Sequence, residues 1–532
     1  MDFIKKNKVW IALAIIIVFG VFLRTYKFSD WLQFSPDQAR DLTLIENTLS
    51  GKISFPLLGP QAGNTNLNMG PMYYHWQYLS ALIFGATPES MAYPDLFFSI
   101  LAIPLLFLLA NKFFAKKISL AIVALFAISF FSIINSRFAS NPNSIPFFVI
   151  LFLYSVLELA SVKDNKKILW AAIAGASVGV GIQLHALLIF ILPAVLGIAG
   201  LYFLWKKIIN WKSIVIIIIF FILLNTGQIA GELSSGWTNT NSLISGITSK
   251  SKEGSLLKNI NLVFACQIQA NTHMLFPVDN LEECGAIYKI GKQISKAESP
   301  GRTLKVVSLI IRFIFIFVFS LGGYFLLGYF LKKEKNAEKK RFLQLMALYS
   351  VVSVIVLIPV VTEISVRYFI ILIFVPFILV GLWINFLLEK VKKAGIIMAG
   401  VFFIILSGLN ATEILNATGR YQKGTASDAE NCILGEVKEM SNYVLINSGD
   451  ASKFNLVGKK SYVHRFGKPI AYLTKKSVKK INKRKSDKNL SQSYATFYID
   501  KASEKENRTE IKGYRIKGTK KFGNMQIYLI EI

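Results

Sequence analysis

Charged residues are scarce in this chain of 532 residues. Asp, Glu, Lys and Arg together make up 17% of it, with 31 acidic against 60 basic residues, whereas soluble globular proteins carry about a quarter charged residues. The charge is missing from long apolar runs and concentrated between them, and the mean hydropathy is +0.48. This scarcity excludes an ordinary soluble globular protein. Runs near the roughly 20 residues that cross a bilayer predict membrane-spanning helices.

Cysteine is also scarce, with three residues at Cys266, Cys284 and Cys432. Their spacing matches no metal-binding signature. Cys266 and Cys284 share one long loop, and we predict a disulfide between them because that loop is expected outside the cytoplasm.

The apolar runs predict eleven spans. The first follows a basic N-terminus and lacks a small-residue cleavage site, so we expect it to be retained rather than removed as a signal peptide. The predicted spans are 9–24, 93–111, 118–134, 143–161, 168–185, 187–205, 213–229, 304–331, 342–361, 366–388 and 394–409.

The short aromatic segment 72–85 is either a twelfth span or an interfacial helix, and the positive charge decides between them. If 72–85 does not cross, every basic block between spans falls on the cytoplasmic side, together with the N-terminus, as the positive-inside rule requires. These blocks are Lys112/Lys116/Lys117, Lys163/Lys166/Lys167, Lys206/Lys207/Lys212, Lys332 to Arg341 and Lys390/Lys392/Lys393.

This topology predicts two domains. Residues 1–410 form an all-α polytopic membrane domain with outer loops at 25–92 and 230–302, and residues 411–532 form a small extracytoplasmic α/β domain. In the second domain 427–440 is typical of a helix, and SYVHRF, IAYLT, ATFYI and MQIYLIEI are typical of strands. The basic stretch 475–488 indicates a solvated loop or a site for anionic lipid or glycan. The net charge of +29 is explained by topology, and we expect no nucleic-acid partner.

The first outer loop contains an acidic motif, FSPDQARDL at 34–42. Pro36 suits the first turn of a helix, on which Asp37 and Asp41 share one face. Carboxylates there would accept a proton from a hydroxyl or help to bind a cation. The alternative is that they only complement the helix dipole.

An aromatic segment follows at 72–76. Tyr73, Tyr74, His75 and Trp76 would either stack on a sugar or belong to the aromatic belt of the membrane interface. Of these we select Tyr74 and His75 as candidate substrate-binding residues.

A third motif, NSRFASNPNSIPFF, lies between two spans at 135–148. Arg137 is a candidate phosphate ligand because its planar fork matches an oxyanion. Asn141 and Asn143 are candidate substrate-binding residues beside it. The competing interpretation is an interfacial arginine that reaches to lipid phosphates.

Two further motifs end or begin spans on the same predicted face. Gln183 and His185 follow one span, and a histidine at the membrane boundary is a functional candidate. Glu363, Arg367 and Tyr368 begin another span. Glu363 and Arg367 would form either part of a substrate site or a local i,i+4 pair.

In these motifs the chain resembles the GT-C glycosyltransferase superfamily. It is most similar to bacterial relatives of dolichyl-phosphate-mannose protein mannosyltransferases and of lipid A aminoarabinose transferases. The resemblance covers about residues 1–410. It is carried by SPDQARD, Gly70-Pro71-Met72-Tyr73-Tyr74, Arg137 with Asn141-Pro142-Asn143, Gln183 with His185, and Arg367-Tyr368-Phe369. Where many relatives have Asp-Glu this chain has Asp37-Gln38, which puts a two-carboxylate metal site in doubt.

The resemblance implies an inverting glycosyltransferase of the cell membrane. Asp37 would match the catalytic carboxylate of the family and act as the base, and Asp41 would be a second carboxylate of the site. The donor would be a polyprenyl-phosphate sugar, and the acceptor hydroxyl would belong to a protein, lipid or glycan outside the cytoplasm. The residues specify no cofactor, and a divalent metal, although compatible with the family, is not supported by a two-carboxylate motif. The alternative is a flippase for lipid-linked glycans, but transporters usually place polar residues at the membrane midplane.

Overall fold

The computed structural model describes residues 2–62, 66–250, 255–275, 300–363, 365–448, 454–482, 495–502 and 510–531. At 2–6, 246–250, 300–316, 362, 363 and 476–482 it describes the backbone alone.

Helices dominate the first 422 residues, since an apolar chain in lipid must pair its backbone groups within each helix. The bounds are α1 Asp2–Thr25, α2 Pro36–Leu49, α3 Met72–Phe84, α4 Pro88–Ala110, α5 Lys116–Ile128, α6 Phe130–Asn135, α7 Ile145–Ser161, α8 Asp164–Leu184, α9 Leu188–Trp205, α10 Trp211–Leu224, α11 Thr226–Ser234, α12 Thr238–Lys250, α13 Leu256–Leu275, α14 Pro300–Lys333, α15 Ala337–Leu357 and α16 Val375–Gln422. Short 3₁₀ helices lie at Asn141–Ser144, Ile358–Glu363 and Val366–Leu372.

Each predicted span has a helical counterpart. Seven described helices are long and apolar enough to cross a membrane, and α10 with α11, bent by 58°, is an eighth candidate. The run α16 has 48 residues, about 72 Å at 1.5 Å per residue, and breaks at Lys392, where φ is 47°. A Cβ on Gly395 would lie 2.2 Å from the carbonyl oxygen of Leu387. The chain therefore turns back there, and α16 contains the last predicted span and most of the one before it, whose start is the 3₁₀ helix Val366–Leu372. The protein is a multi-pass membrane protein.

The aromatic helix α3 is short. Its 13 residues measure about 20 Å, whereas the hydrocarbon core of a bilayer is about 30 Å thick. This length supports the interfacial interpretation of 72–85.

The predicted basic blocks gather at one end of the membrane domain, which we call the basic end. Lys112 pairs with Glu158 at 2.5 Å, and Lys333 pairs with Glu389 at 2.6 Å. Lys167 Nζ donates to the carbonyl of Ile208 at 2.6 Å. These contacts join the turns after α4, α7, α9 and α14. The opposite end, where α1, α6 and α8 finish and α2 lies, is the α2 face.

Helix α13 was not predicted, because the second outer loop looked polar. Two of its buried side-chain NH₂ groups are paired within the domain: Gln267 Nε2 donates to Asn271 Oδ1 at 3.2 Å, and Asn271 Nδ2 donates to Ser320 Oγ at 3.2 Å. Cys266 is buried on the same helix. Cys432 is a free, buried thiol. Cys284 lies outside the described residues, so its pairing with Cys266 stays a prediction.

The C-terminal part is a small α/β unit built on one sheet. Its elements are α17 Leu434–Asn447, β1 Phe454–Gly458, α18 Lys460–Asn482, β2 Ala495–Lys501, β3 Glu510–Ile511, β4 Tyr514–Phe522 and β5 Met525–Glu531. The strand order is β1-β2-β5-β4-β3; β1 is parallel to β2 and the other pairs are antiparallel.

One expectation for this region was wrong. SYVHRF and IAYLT are not strands but parts of α18, because Tyr462, Phe466 and Ile470, four residues apart, are buried on one helical face. The predicted domain boundary at 410 falls inside α16. Asn410 is buried and its Nδ2 donates to the carbonyl of Leu275 at 2.5 Å, so this part of α16 packs against the membrane domain.

The C-terminal unit packs on the segment before α2. The amide of Leu434 donates to Leu32 O at 2.8 Å, and that of Phe34 donates to Cys432 O at 2.7 Å. Lys438 pairs with Glu89 at 3.0 Å. These contacts hold the N-terminus of α2 in place.

Candidate functional site

Helix α2 begins where the sequence predicts. Ser35 is the N-cap, Pro36 is the first helical residue, and Gln38 Oε1 accepts the backbone N–H of Ser35 at 3.0 Å. A glutamine at this third position can satisfy an otherwise unpaired N–H. Gln38 Nε2 donates to Ala139 O at 2.5 Å. Gln38 thus joins α2 to the third motif.

Arg40 joins the two acids of α2. Its Nη1 lies 3.0 Å from Asp37 Oδ1 and its Nε 2.9 Å from Asp41 Oδ1. The two carboxylates differ sharply in access, because the Asp37 side chain is 70% exposed and that of Asp41 4%. Tyr74 Oη also donates to Asp41 at 2.9 Å. Asp37 can therefore meet a substrate, whereas Asp41 holds Arg40 and Tyr74.

Burial raises the pKa of Asp41, and the charge of Arg40 and the hydrogen bonds from Arg40 and Tyr74 oppose that shift. Burial, together with the charge of Asp41, also raises the pKa of Tyr74. Tyr74 therefore remains a hydrogen-bond donor at neutral pH, and a buried carboxylate with two donors is a stable anchor.

Polar groups on α3 lie beside this anchor. Gln77 is fully buried, and neither its Oε1 nor its Nε2 has a hydrogen-bond partner among the described residues; the Tyr73 hydroxyl likewise has none. Burial and the nearby charges of Asp41 and Asp95 raise the pKa of Tyr73. His75 stacks on Phe55, with ring centroids 4.6 Å apart.

The structure assigns Arg137 a contact that the sequence did not predict. Its Nη1 and Nη2 donate to backbone carbonyls at the end of α1, among them Arg24 O at 3.0 Å and Tyr26 O at 2.8 Å. Its guanidinium also lies 5.6 Å from the Phe28 ring centroid. Burial lowers its pKa to about 10, so it stays charged at neutral pH. Because both terminal nitrogens are occupied, Arg137 is a helix cap, and this geometry argues against the predicted phosphate contact.

The asparagines of the third motif also bind backbone. Asn141 Nδ2 donates to Leu184 O and Asn143 Nδ2 to Phe138 O, at 2.9 and 2.8 Å. Asp95, a buried residue of α4, accepts the Ser140 N–H at 3.0 Å and the Ser144 hydroxyl at 2.5 Å. The segment is therefore a joint that fixes α1, α2, α4 and α8 to one another.

Gln183 connects α8 to the start of α3. Its Oε1 accepts the Met72 N–H at 3.1 Å, and its Nε2 donates to Leu224 O at 2.8 Å. A Cβ on Gly70 would lie 2.2 Å from Gln183 Cγ. This close approach explains the glycine before Pro71.

His185 lies with Tyr368 and Arg367. Its ring meets the Tyr368 ring edge-on, with the ring centroids 5.2 Å apart. Its Nδ1 accepts the Leu187 N–H at 3.2 Å, so the proton of the neutral ring is on Nε2. Burial, and secondly the charge of Arg367, lowers the pKa of His185 to about 4. Arg367 is exposed and makes no ion pair with a described side chain. The side chain of Glu363 lies outside the described residues.

The predicted residues thus form two groups on the α2 face: Asp37, Asp41 and Tyr74 around Arg40, and His185, Arg367 and Tyr368. Sequence reasoning missed Arg40, Gln77 and Asp95. The position of Arg40, three residues after one acid and directly before another, was a usable signal. No group of three or more His, Cys, Asp or Glu side chains in the described ranges could hold a metal ion. A cation that bridged Asp37 and Asp41 would also have to displace Arg40.

Residues 14–229 match the family model of dolichyl-phosphate-mannose-protein mannosyltransferases, and no curated protein matches the chain. An Archaeoglobus fulgidus oligosaccharyltransferase, in complex with zinc and sulfate, superposes with a TM-score of 0.51 at 14% identity, over 87% of this chain and 61% of its own. This chain therefore spans less than two thirds of the length of that enzyme.

Two further structures superpose less closely. ArnT from Cupriavidus metallidurans, bound to undecaprenyl phosphate, has a TM-score of 0.46 at 10% identity and 98% coverage of both chains. The third structure is the Saccharomyces cerevisiae Pmt1-Pmt2 protein O-mannosyltransferase complex bound to the sugar donor. Its TM-score is 0.33 at 15% identity, over 44% of this chain and 34% of the matched chain. By its match over residues 14–229 and by its fold, the chain resembles GT-C membrane glycosyltransferases.

Proposed function

We propose that this protein transfers a sugar from a polyprenyl-phosphate donor to an acceptor hydroxyl, at the α2 face and outside the cytoplasm. One observation carries the proposal: an exposed carboxylate, Asp37, is held at the N-terminus of α2 by Arg40 and the buried Asp41. This helix lies within the region that matches the mannosyltransferase family.

The chemistry requires a base and a site for the leaving phosphate. Asp37 takes the proton of the acceptor hydroxyl as its oxygen bonds to the anomeric carbon. The bond between that carbon and the phosphate oxygen breaks, and the polyprenyl phosphate leaves with the electron pair. One displacement of this kind inverts the anomeric centre, as in inverting glycosidases. Phosphate leaves readily, so its developing charge needs stabilisation rather than protonation.

We assign the phosphate contact to Arg367 and His185. Arg367 is exposed, and His185 is neutral with a proton on Nε2, so both present donors. Arg137 and Asn141 position the surrounding helices. Asp41 is a positioning residue that acts through Arg40.

Asp37→Asn tests the proposal. The amide keeps the size of the side chain and removes its basicity, so turnover should fall by about two orders of magnitude or more, with binding of polyprenyl phosphate retained. The assay is sugar transfer from polyprenyl-phosphate donors in liposomes, against Asp30→Asn, an exposed acid of the same loop, as the matched control. Transfer by Asp37→Asn at the wild-type rate would exclude it as the base.

A further inference from the structure

The outward face of α18 carries basic side chains that the proposed reaction does not use. Lys460, His464, Lys468 and Lys475 are exposed, and their spacing of four, four and seven residues places them on one side of the helix. We call these four residues the α18 stripe. The helix contains no Asp or Glu, and none of the four forms an ion pair with a described residue. Its three lysines make the stripe a cationic surface about 22 Å long.

The apolar residues of α18 pack against the rest of the protein. Phe466 and Ile470 are fully buried in the core of the C-terminal unit. Leu473 packs against that core and also against the apolar cluster that contains Leu42 and Ile45 of α2. Among the side chains of α18 that the structure describes, which end at Lys475, the exposed side carries no large apolar residue that could insert into lipid. Interfacial membrane helices place Trp, Phe or Leu on the side that meets the bilayer, so the stripe fits a ligand in solution better than a membrane.

The stripe runs beside the helix that carries the proposed base. The Tyr472 hydroxyl donates to Glu46 Oε1 of α2 at 2.6 Å, and the Tyr472 ring lies 5.9 Å from that of Phe34, just before α2. Lys468 and Lys475 lie one turn before and one turn after Tyr472. A ligand bound along the stripe is thus close to α2.

We propose that the α18 stripe binds an acceptor chain that carries repeated anionic groups, phosphate or carboxylate, and guides it to the α2 face. Lysine is a flexible point charge that suits a mobile anionic chain, whereas one fixed anion would favour arginine. Repeated anions can meet successive lysines along the helix. The acceptor role rests on the proposed glycosyltransferase function; the anion binding does not.

The test uses the full-length protein in nanodiscs of neutral phosphatidylcholine, with fluorescent linear polyphosphate as the probe and anisotropy as the measurement. The triple variant Lys460→Gln, Lys468→Gln, Lys475→Gln removes three charges from the stripe. The triple variant Lys501→Gln, Lys520→Gln, Lys521→Gln removes three charges from exposed positions on β2 and β4 and is the matched control. The stripe variant should weaken binding at least about tenfold and the control less than about threefold. The affinity for the probe should also depend less steeply on salt concentration in the stripe variant than in the wild type, whereas the control should keep the wild-type dependence.

Several outcomes would overturn the proposal. Equal weakening in both variants would assign binding to net charge, and absent binding to the wild type would remove the site. Loss of adhesion to phosphatidylglycerol vesicles, with polyphosphate binding unchanged, would make the stripe a lipid contact. Asp37→Asn should bind the probe like the wild type. If no sugar transfer is found but the stripe variant still loses binding, the proposed function fails and the anion site stands.

Discussion

Arg40 allows two carboxylates to lie on the same helix face, because its guanidinium pairs with both Asp37 and Asp41. Asp41 is buried, and its charge is offset by Arg40 and by the Tyr74 hydroxyl. Removing one partner of a buried ion pair leaves an uncompensated charge, which costs more than the pair contributes. Stability of the α2 face therefore depends on Arg40.

We expect Arg40→Gln to lower the free energy of unfolding by on the order of 2 kcal/mol at pH 8. The reason is that the raised pKa of Asp41 rises further without Arg40. A carboxyl whose folded pKa exceeds its unfolded value loses stability as pH rises through the folded pKa, so acidification to pH 5 should recover part of the loss.

Thermal unfolding in detergent at the two pH values measures this effect. The double variant Arg40→Gln, Asp41→Asn removes the charge as well and should be more stable than Arg40→Gln at pH 8. A double variant no better than the single one would show that Asp41 is not the cause.

His185 gives a second pH-dependent prediction with the opposite sign. Its folded pKa is lowered to about 4 from an unfolded value of about 6.5, so the unfolded state binds the extra proton first. Acidification from pH 6.5 to 4.5 should cost the wild type on the order of 2 kcal/mol that His185→Gln does not lose. Differential scanning fluorimetry across this range tests it, and parallel curves for the two proteins would contradict it.

At the scale of elements, the segment 135–144 shows how a motif can be recognised and its role misjudged. The sequence suggests a phosphate ligand because arginine suits phosphate. The structure shows that helix ends converge there, with unpaired carbonyls that need donors. Arg137 supplies donors to several at once, and no local pattern reveals that the end of α1 lies beside residue 137.

We therefore predict that Arg137→Lys destabilises the protein by about 2 kcal/mol or more, because an ammonium cannot reach carbonyls on both sides of the guanidinium fork. A phosphate ligand would behave differently, since lysine retains the charge. Thermal unfolding and polyprenyl-phosphate binding are measured together, with Arg367→Gln as the comparison. Arg367→Gln should weaken lipid-phosphate binding with little change in stability. Unchanged stability in Arg137→Lys would exclude the cap.

Periodicity predicted the spans and α2 but failed for α13 and α18. The spans are continuous apolar runs, and α2 has Pro36 at its start. Helix α13 is buried although it contains Gln267 and Asn271, because its amides pair with neighbouring helices that are distant in sequence. In α18 the apolar residues also alternate over short stretches, which imitates strands. Pairings between distant segments decided both cases, and one sequence does not display them.

At the scale of the whole molecule, the two ends of the membrane domain differ in chemistry. The basic end holds the lysine-rich turns, joined by pairs such as Lys112 with Glu158 and Lys333 with Glu389. The α2 face holds the candidate site and the docked C-terminal unit. This separation agrees with the arrangement that the charge pattern predicted.

The last prediction concerns that orientation. By the positive-inside rule, the basic end should face the cytoplasm and the α2 face the exterior, where polyprenyl-phosphate sugars would be used. Single cysteines at Lys117 and Lys335 mark the basic end, and cysteines at Lys52 and Asn455 mark the other; all four positions are exposed. In intact cells a membrane-impermeant maleimide should label the 52 and 455 variants, and the 117 and 335 variants only after permeabilisation. A Cys432→Ser background removes the free native thiol.

Labelling of 335 and 455 from the same side would refute the topology. Labelling of 117 and 335 from outside would place Asp37 in the cytoplasm, and the donor would then have to be sought there.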